Sequence, residues 1–515
     1  MKYNSTRGGS TGLTFEEAVL QGLSPDGGLY IPERIPTVSQ DEILSWRSLP
    51  FADLAAKIMR HFVDRSEISD EELLELTRRS YSSFSHPDVV PVKNLDGLWV
   101  LELFHGPTFA FKDVALQLLG NLFEFFLKRK SDGRILTVVG ATSGDTGGAA
   151  IYGLRGKKDI NVFILHPAGR ISSVQEQQMT SVLDGNVNNI ALEGTFDDCQ
   201  DIVKALFSDE AFRAKYSLGA VNSINWARIL AQTTYYFHCV FQLMKDSRGF
   251  GKVQFSVPTG NFGDILAGFY AQQMGLPIHR LIIATNENDI LHRFLETGRY
   301  HKPNSDVEAV KMTLAPAMDI LVSSNFERLM FYLSCGNINP SQVTEVSPQT
   351  AAEASQRVKA YMTKLKEEGG FTADPVIVER AKQLFAAHRV DDAQVTETIS
   401  RYYHQQSKYI LDPHTAIGVV AAEHILKQEK GVQTVCLATA SPGKFPEAVL
   451  EAINSNPPSS AVQSGFTGLQ YKDIAPSKLV ELVGLPKRVL SIKTQGDKQK
   501  GLQLVRSSIQ QTLGF

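Results

Sequence analysis

The sequence predicts a largely parallel, doubly wound α/β protein. Strand-like apolar runs alternate with helix-spaced stretches from residue 115 onwards. Several of those runs end in glycine-rich turns that open a helix, which is where ligand loops sit in an open α/β sheet. A chain of 515 residues, 43% hydrophobic and 21% charged, has material for more than one core. Its length suggests about three domains.

In chain order, Thr14 with Glu17 reads as a capping box opening a helix. Pro25-Asp26-Gly27-Gly28 is a turn before the short apolar run LYIP. Helices are expected at 50–64 and 70–83, so the first 100 residues or so form a mostly helical leader. A strand from Leu98 leads into Gly106-Pro107-Thr108-Phe109-Ala110-Phe111-Lys112-Asp113, and the following VALQLLGNLFEFFLKRK has helical apolar spacing. Strands are expected at 135–139, 161–165, 188–194, 253–258 and 281–285. Helices are expected near 172–182, over FDDCQDIVKALF and from Asn222-Ser-Ile-Asn-Trp-Ala-Arg228 onwards. The block 345–408 reads as mostly helical, polar and peripheral. Residues 410–422 read as a loop opening a helix, and 434–445 as a strand running into a polar loop.

Bulk properties exclude several function classes. The formal charge is −3, so no basic field points to nucleic acid or to an anionic membrane. The four cysteines are far apart and form no C-x-x-C, which argues against a zinc site or a disulfide framework and fits a reducing compartment. The N-terminal stretch has no apolar core of a secretory signal, and no run of 18 apolar residues exists to span a membrane. These features point to a cytoplasmic protein.

Lys112 is the first candidate for chemistry. Phe109 and Phe111 precede it, so it is expected against the core. Desolvation disfavours an ammonium and leaves an amine able to attack a carbonyl. The alternative is a stem packed on aromatics with its head in water. Thr259-Gly260-Asn261-Phe262-Gly263-Asp264 follows a strand and opens a helix, an arrangement that cradles a phosphate on backbone N–H groups. It lacks the Walker pattern. The loop Gly140-Ala-Thr142-Ser143-Gly-Asp145-Thr146-Gly-Gly148 is neither a dinucleotide fingerprint nor a nucleophile elbow; its hydroxyls and N–H donors suit a carboxylate. Either loop could instead be a tight turn without a ligand. Thr439 ends a buried-looking strand, where a hydroxyl ordinarily serves as a cap or turn former. An activated lysine, a phosphate cradle, a carboxylate loop and a strand-end hydroxyl are joined by one cofactor, pyridoxal 5'-phosphate, imine-linked to Lys112 with its phosphate in the 260–263 loop and an amino-acid substrate on the 140–148 loop.

The motifs HGPTFAFKDVALQLLGNLFE, VVGATSGDTGGAAIYGLRGKKD, NSINWARILAQ, PTGNFGDILAGFYAQQMGLP, ATNENDIL and SPDGGLYIPE are similar to those of the threonine synthase family, closely so for its fungal type. The resemblance runs from Tyr3 to about Phe445. It implies fold type II of the pyridoxal-phosphate enzymes, with two doubly wound open sheets and a helical N-terminal domain. The implied division is a mostly helical unit at 1–97, a large cofactor-binding unit at 98–114 and 226–515, and a smaller substrate unit at 115–225. The implied reaction converts O-phospho-L-homoserine and water to L-threonine and phosphate by γ-elimination and β-addition of water. A related phospho-lyase releasing 2-oxobutyrate is the alternative. Carried over residue by residue, Lys112 is the Schiff-base lysine. Gly260, Asn261, Phe262 and Gly263 bind the cofactor phosphate, and Thr439 bonds the pyridine nitrogen. Thr142, Ser143, Asp145 and Thr146 hold the substrate carboxylate; Asn225 and Arg228 are candidates for the substrate phosphate. Many family members carry Asn where this chain has Asp264, so no phosphate contact is assigned to Asp264. The fungal likeness implies a monomer.

Overall fold

The computed structural model describes residues 1–130, 133–244, 251–303, 310–336, 347–405, 407–455, 457 and 466–514. Fifteen strands are described, β1 (Tyr3–Ser5), β2 (Tyr30–Pro32), β3 (Val92–Leu95), β4 (Leu98–Glu102), β5 (Leu136–Ala141), β6 (Ile160–Pro167), β7 (Val187–Leu192), β8 (Leu218–Gly219), β9 (Val253–Pro258), β10 (Ile278–Thr285), β11 (Arg299–His301), β12 (Gly370–Thr372), β13 (Phe385–Arg389), β14 (Gln433–Ala438) and β15 (Leu490–Ile492). They form a six-stranded sheet in the order β13-β10-β9-β14-β4-β3, a five-stranded sheet in the order β15-β7-β6-β5-β8, and two antiparallel pairs. Every pairing in the five-stranded sheet is parallel. In the six-stranded sheet only the edge pair β3–β4 is antiparallel. The two doubly wound sheets are those expected.

Both sheets read as parallel because their central strands are apolar on both faces. All six residues of β9 are buried, as are five of six in β5 and β14. Helices cover those faces. The helix Lys112–Lys130 packs against the helices Asp145–Leu154, Trp226–Leu243 and Asp70–Tyr81, so it joins the two sheets and the N-terminal segment. The chain order reverses where β14 inserts between β9 and β4, and again at β5. Those are the places where ligand crevices open beyond strand carboxyl ends.

The N-terminal helix Phe15–Gln21 has the expected capping box of Thr14 and Glu17. Residues 1–97 also contain three strands and have no separate core. Tyr3 and Phe62 both lie against Trp226, and Tyr3 Oη donates to the Phe62 carbonyl. One continuous apolar cluster runs from Tyr3 through Leu118 and Phe255 to Leu437.

Two expectations are corrected by strand pairing. The block 345–408 is not merely peripheral helix, because β13 lies within it and pairs in parallel with β10 as the edge of the six-stranded sheet; residues 345, 346 and 406 lie outside the described residues. The stretch 226–515 does not stay with the six-stranded sheet either. β15 adds in parallel to β7, and the helix Lys498–Leu513 lies on the helix Phe196–Ser208 of the five-stranded sheet. The reason is apolar: Ile492, Val505 and Ile509 complete the cluster of Leu192, Cys199, Ile202 and Leu206. Ile509→Ala should therefore cost about 2–5 kcal/mol by opening a cavity in that cluster. Urea unfolding followed by a probe in the five-stranded half would show the lowered midpoint.

Candidate active site

The site forms where loops after β4, β14, β9 and β5 converge. Two of them are stitched by backbone. Phe111 N–H donates to the Thr439 carbonyl at 2.8 Å, and Ser441 N–H donates to the Phe109 carbonyl at 3.0 Å. Ala110 and Ala440 thus face each other as an isolated antiparallel bridge. Phe109 adopts a left-handed φ of 58° inside this crossing. Asp113 accepts from the Thr108 N–H and hydroxyl, which closes the turn before the helix. Burial pushes the Asp113 carboxyl up to about 6, with those Thr108 bonds holding it back. Lys112, the first helical residue, is brought beside Thr439, and Thr439 is fixed further by its N–H donating to Thr415 Oγ1.

Lys112 is 8% exposed, and its Nζ lies 4.7 Å from the centre of the Phe111 ring. Burial lowers its pKa; the Asp145 carboxylate opposes that shift, while Lys444 and Arg228 reinforce it. This is the apolar setting that the flanking phenylalanines predicted.

The cradle loop is built from two backbone peculiarities. At Gly260 a Cβ would stand 3.0 Å from the Ala317 carbonyl oxygen and 3.3 Å from Met318 Cα, so the loop passes too close to another segment for a side chain. Phe262, not a glycine, takes the left-handed conformation at φ 63°, and its buried ring packs on Phe326 and Phe385. Gly263 has no such constraint; a Cβ there would meet neighbours at an ordinary 3.5 Å. The helix Gly263–Gln273 has no side-chain cap, so its N-terminal N–H groups and positive dipole end face the site. Ser323 Oγ donates to the Gly260 carbonyl, Ser324 Oγ to Asn261 Oδ1 and Asn325 Nδ2 to the Asn261 carbonyl, bracing the cradle from outside. These features fit a bound phosphate.

Asp264 points away from the cradle. It accepts from the hydroxyls of Tyr235 and Tyr236, and its second oxygen is buried without a described partner. Burial pushes it up to about 6 despite those two hydroxyls. The acid thus ties the cradle helix to the helix carrying Arg228.

The loop after β5 differs in part from expectation. Thr142 Oγ1 accepts from the N–H groups of Gly144 and Gly147, so this hydroxyl shapes the loop and keeps only its own proton to offer a ligand. Gly144 sits at φ 137°, where a Cβ would strike the Gln175 side chain. The Asp145 carboxylate faces cations, Lys444 Nζ at 2.8 Å and Lys112 Nζ at 3.5 Å. Burial would raise its pKa, but Lys444 and Lys112 overrule that and hold it far below the usual carboxylate range. A negative side chain repels a substrate carboxylate, so that assignment is corrected: only the Asp145 backbone N–H can serve it. Ser143 and Thr146 are half-buried in the same loop, and this helix too has no side-chain cap.

Asn225 is also corrected. It is the N-cap of the helix Trp226–Leu243, its Oδ1 accepting from Ala227 N–H, and its Nδ2 donates to the Val19 carbonyl. Its oxygen and one amide N–H are committed to capping the helix and holding the N-terminal segment. Arg228 behaves differently. It is 2% exposed, donates from Nη1 to the Val221 carbonyl, and leaves a buried Nε with no described partner. Burial lowers its pKa to about 10. No carboxylate among the described residues pairs with it.

Sequence reasoning missed Lys444, Gln175, Gln178 and the Ser323-Ser324-Asn325 brace. Lys444 carried the same signal as Lys112, a lone lysine against a phenylalanine at a strand end. The brace had no period or motif to mark it.

Comparison with known proteins supplies the family. Residues 2–81 match the threonine synthase N-terminal family, 88–360 the pyridoxal-phosphate-dependent enzyme family and 415–504 the threonine synthase C-terminal family. A threonine synthase of Schizosaccharomyces pombe is 52% identical over 471 residues, covering 88% of this chain and 90% of that protein. The crystal structure of threonine synthase from yeast superposes with a TM-score of 0.88 at 48% identity, covering 100% of this chain and 99% of its own. A pyridoxal-phosphate-bound threonine synthase from Brucella melitensis superposes with a TM-score of 0.86 at 40% identity, covering 99% of each chain.

Gly260→Val should press γ-methyls into the Ala317–Met318 backbone and shift the cradle. Affinity for pyridoxal phosphate should fall at least about tenfold, about 1.4 kcal/mol, measured by absorbance titration of cofactor-free protein. Unchanged affinity would place the phosphate elsewhere.

Proposed function

We infer the details of the reaction from one premise: the chain belongs to the threonine synthase family. It is a pyridoxal-phosphate-dependent lyase of threonine biosynthesis. The substrate is read as O-phospho-L-homoserine, converted with water to L-threonine and phosphate. One observation carries that reading: Arg228 is a buried cation with no described carboxylate partner, and it lies close enough to Lys112 to disfavour a proton there. A buried guanidinium without a counter-charge is costly unless an anionic ligand completes it. The cofactor phosphate has its own cradle, which leaves Arg228 for a second phosphate.

The residues take the following roles. Lys112 would hold the cofactor covalently, and the same amine, when free, would be placed to move protons at a substrate's α and β carbons. Gly260, Asn261, Phe262 and Gly263 hold the cofactor phosphate on backbone donors. Thr439 would offer a neutral hydroxyl to the pyridine nitrogen, and the N–H groups and free hydroxyls of 142–146 would receive the substrate carboxylate. Bound pyridoxal phosphate supplies an electron sink that acidifies the protons at Cα and then at Cβ. The buried setting of Lys112 and Thr439 limits water to what the β-addition requires.

No helix among the described residues is long and apolar enough to cross a membrane. We read the protein as cytoplasmic, in keeping with its four free cysteines, and as a monomer, a reading that light scattering tests.

Lys112→Ala should fold, retain weak cofactor binding through the loops, and lose the borohydride-fixed tag and essentially all turnover. A tag on another lysine in the wild type sinks the assignment. Arg228→Ala should keep its cofactor spectrum and lose kcat/KM for O-phospho-L-homoserine by roughly thirtyfold or more, the loss of one charge-assisted bond. Normal kinetics with a lowered Tm would make Arg228 structural. Chromatography of the product separates threonine from 2-oxobutyrate, and the latter as main product would favour the phospho-lyase.

A further inference from the structure

A second lysine stands beside Lys112. Lys444 ends the short turn Pro442–Lys444 beyond β14 and is 0% exposed. An ammonium taken so fully out of water persists only with acceptors for its protons and a counter-charge at hand. Lys444 has both. Its Nζ donates to the Thr108 carbonyl at 2.8 Å and to Gln178 Oε1 at 3.1 Å, and pairs with Asp145 Oδ1 at 2.8 Å. Gln175 Nε2 donates to the same carboxylate oxygen at 3.0 Å. The other oxygen, Oδ2, lies 3.5 Å from Lys112 Nζ.

One carboxylate therefore stands between two buried lysines and leans on the one that carries no cofactor. This arrangement bears on Lys112, whose chemistry needs a free amine. An Asp145 carboxylate released from Lys444 would close on Lys112 and fix a proton there. We propose that Lys444 is a positioning residue for Lys112: it holds Asp145 by Oδ1, takes up most of that carboxylate's charge, and so keeps Lys112 an amine. The inference deepens the reading of Lys112 as the cofactor lysine and rests on it. Lys444 is also a meeting point, since Thr108 precedes Lys112 in its own loop while Gln178 and Asp145 belong to the five-stranded half.

Other charges face Lys112 or its partners. Arg228, from the helix Trp226–Leu243, acts in the same direction as Lys444. Asp264, from the helix Gly263–Gln273, favours the protonated amine. Asp113, on the Lys112 helix itself, faces Lys444, and His414, from the helix Pro413–Leu426, faces Asp145. Only Lys444 combines contact with Asp145 and a third-segment anchor at Thr108.

The test reads the protonation of Lys112 directly. Cofactor-free protein is pulse-labelled with acetic anhydride across pH, and the extent at Lys112 is mapped by peptide mass spectrometry. K444M should move the Lys112 midpoint upward by roughly one pH unit or more, since a counter-charge is set free against it. K444R, which keeps the cation, should stay within a few tenths. D145N should move the midpoint down, and K444M/D145N should lie above D145N by less than K444M lies above the wild type. If K444M fails to fold, K444Q, which removes the charge but keeps a polar group for Thr108 and Gln178, takes its place. An unmoved Lys112 midpoint in K444M, or in K444Q in its place, with only a lowered Tm, overturns the proposal and makes Lys444 a structural tie. Borohydride reduction of the holoenzyme is read separately: a tag off Lys112 would sink the functional reading while the titration result stands.

Discussion

The short antiparallel crossing of Phe109–Phe111 over Thr439–Ser441 is the constraint on which the rest of the site depends. β4 and β14 are parallel neighbours, and their extensions beyond the sheet are joined by two backbone hydrogen bonds. Because Phe111 is held there, Lys112 must begin a helix at the mouth of the sheet. Because Thr439 is held there, its hydroxyl lies beside that helix, and the chain three residues beyond Ser441 delivers Lys444. The left-handed Phe109 is the conformational cost of the crossing, and its ring is anchored by Val174 of the five-stranded half and by Leu479 near the C-terminal end. Four segments remote in sequence are thus registered by one small piece of backbone pairing.

Around that crossing, burial sets the charge states of neighbouring groups apart. Lys112, Lys444 and Arg228 are all buried, and of the three acids nearest to them only Asp145 is held firmly ionised. Asp113 and Asp264 both lie near 6 because desolvation dominates their hydrogen bonds. What the protein leaves without a described counter-charge is the Arg228 guanidinium, and two helix N-termini at the site have no side-chain cap. A buried guanidinium in that state is costly unless an anion completes it, which is the ground for the second phosphate proposed above.

Much of this was legible in the sequence, for identifiable reasons. The central strands stood out because burial on both faces makes them continuous apolar runs, and Lys112 stood out because its neighbours are aromatic. The glycine loops announced close backbone approach, although the left-handed residue proved to be Phe262, whose conformation is bought by aromatic packing that no local pattern reveals. Asn225 was misread because an N-cap and a ligand-binding amide look alike in sequence; what decides is the Val19 carbonyl, 206 residues away. β13 and β15 went unseen for a related reason. Each is short and amphipathic at best, with two of the three β15 residues exposed, and each becomes a strand only because an edge is waiting for it.

That last strand has a consequence for how the molecule is made. β15 joins β7 across about three hundred residues, as Thr494 Oγ1 to the Glu193 carbonyl illustrates with a separation of 301. A ribosome delivering this chain exposes β7 as a bare sheet edge, with the Leu192, Ile202 and Leu206 surface uncovered, until β15 and the helix Lys498–Leu513 have been made. Loop closure over such a distance is not prohibitive, since each doubling of length adds only about 0.6 kcal/mol, but it is slow and leaves an interval in which an open edge can pair with another nascent chain. The five-stranded half is thus the later of the two sheets to become safe from aggregation, and β15 with the helix Lys498–Leu513 acts as its closing seal.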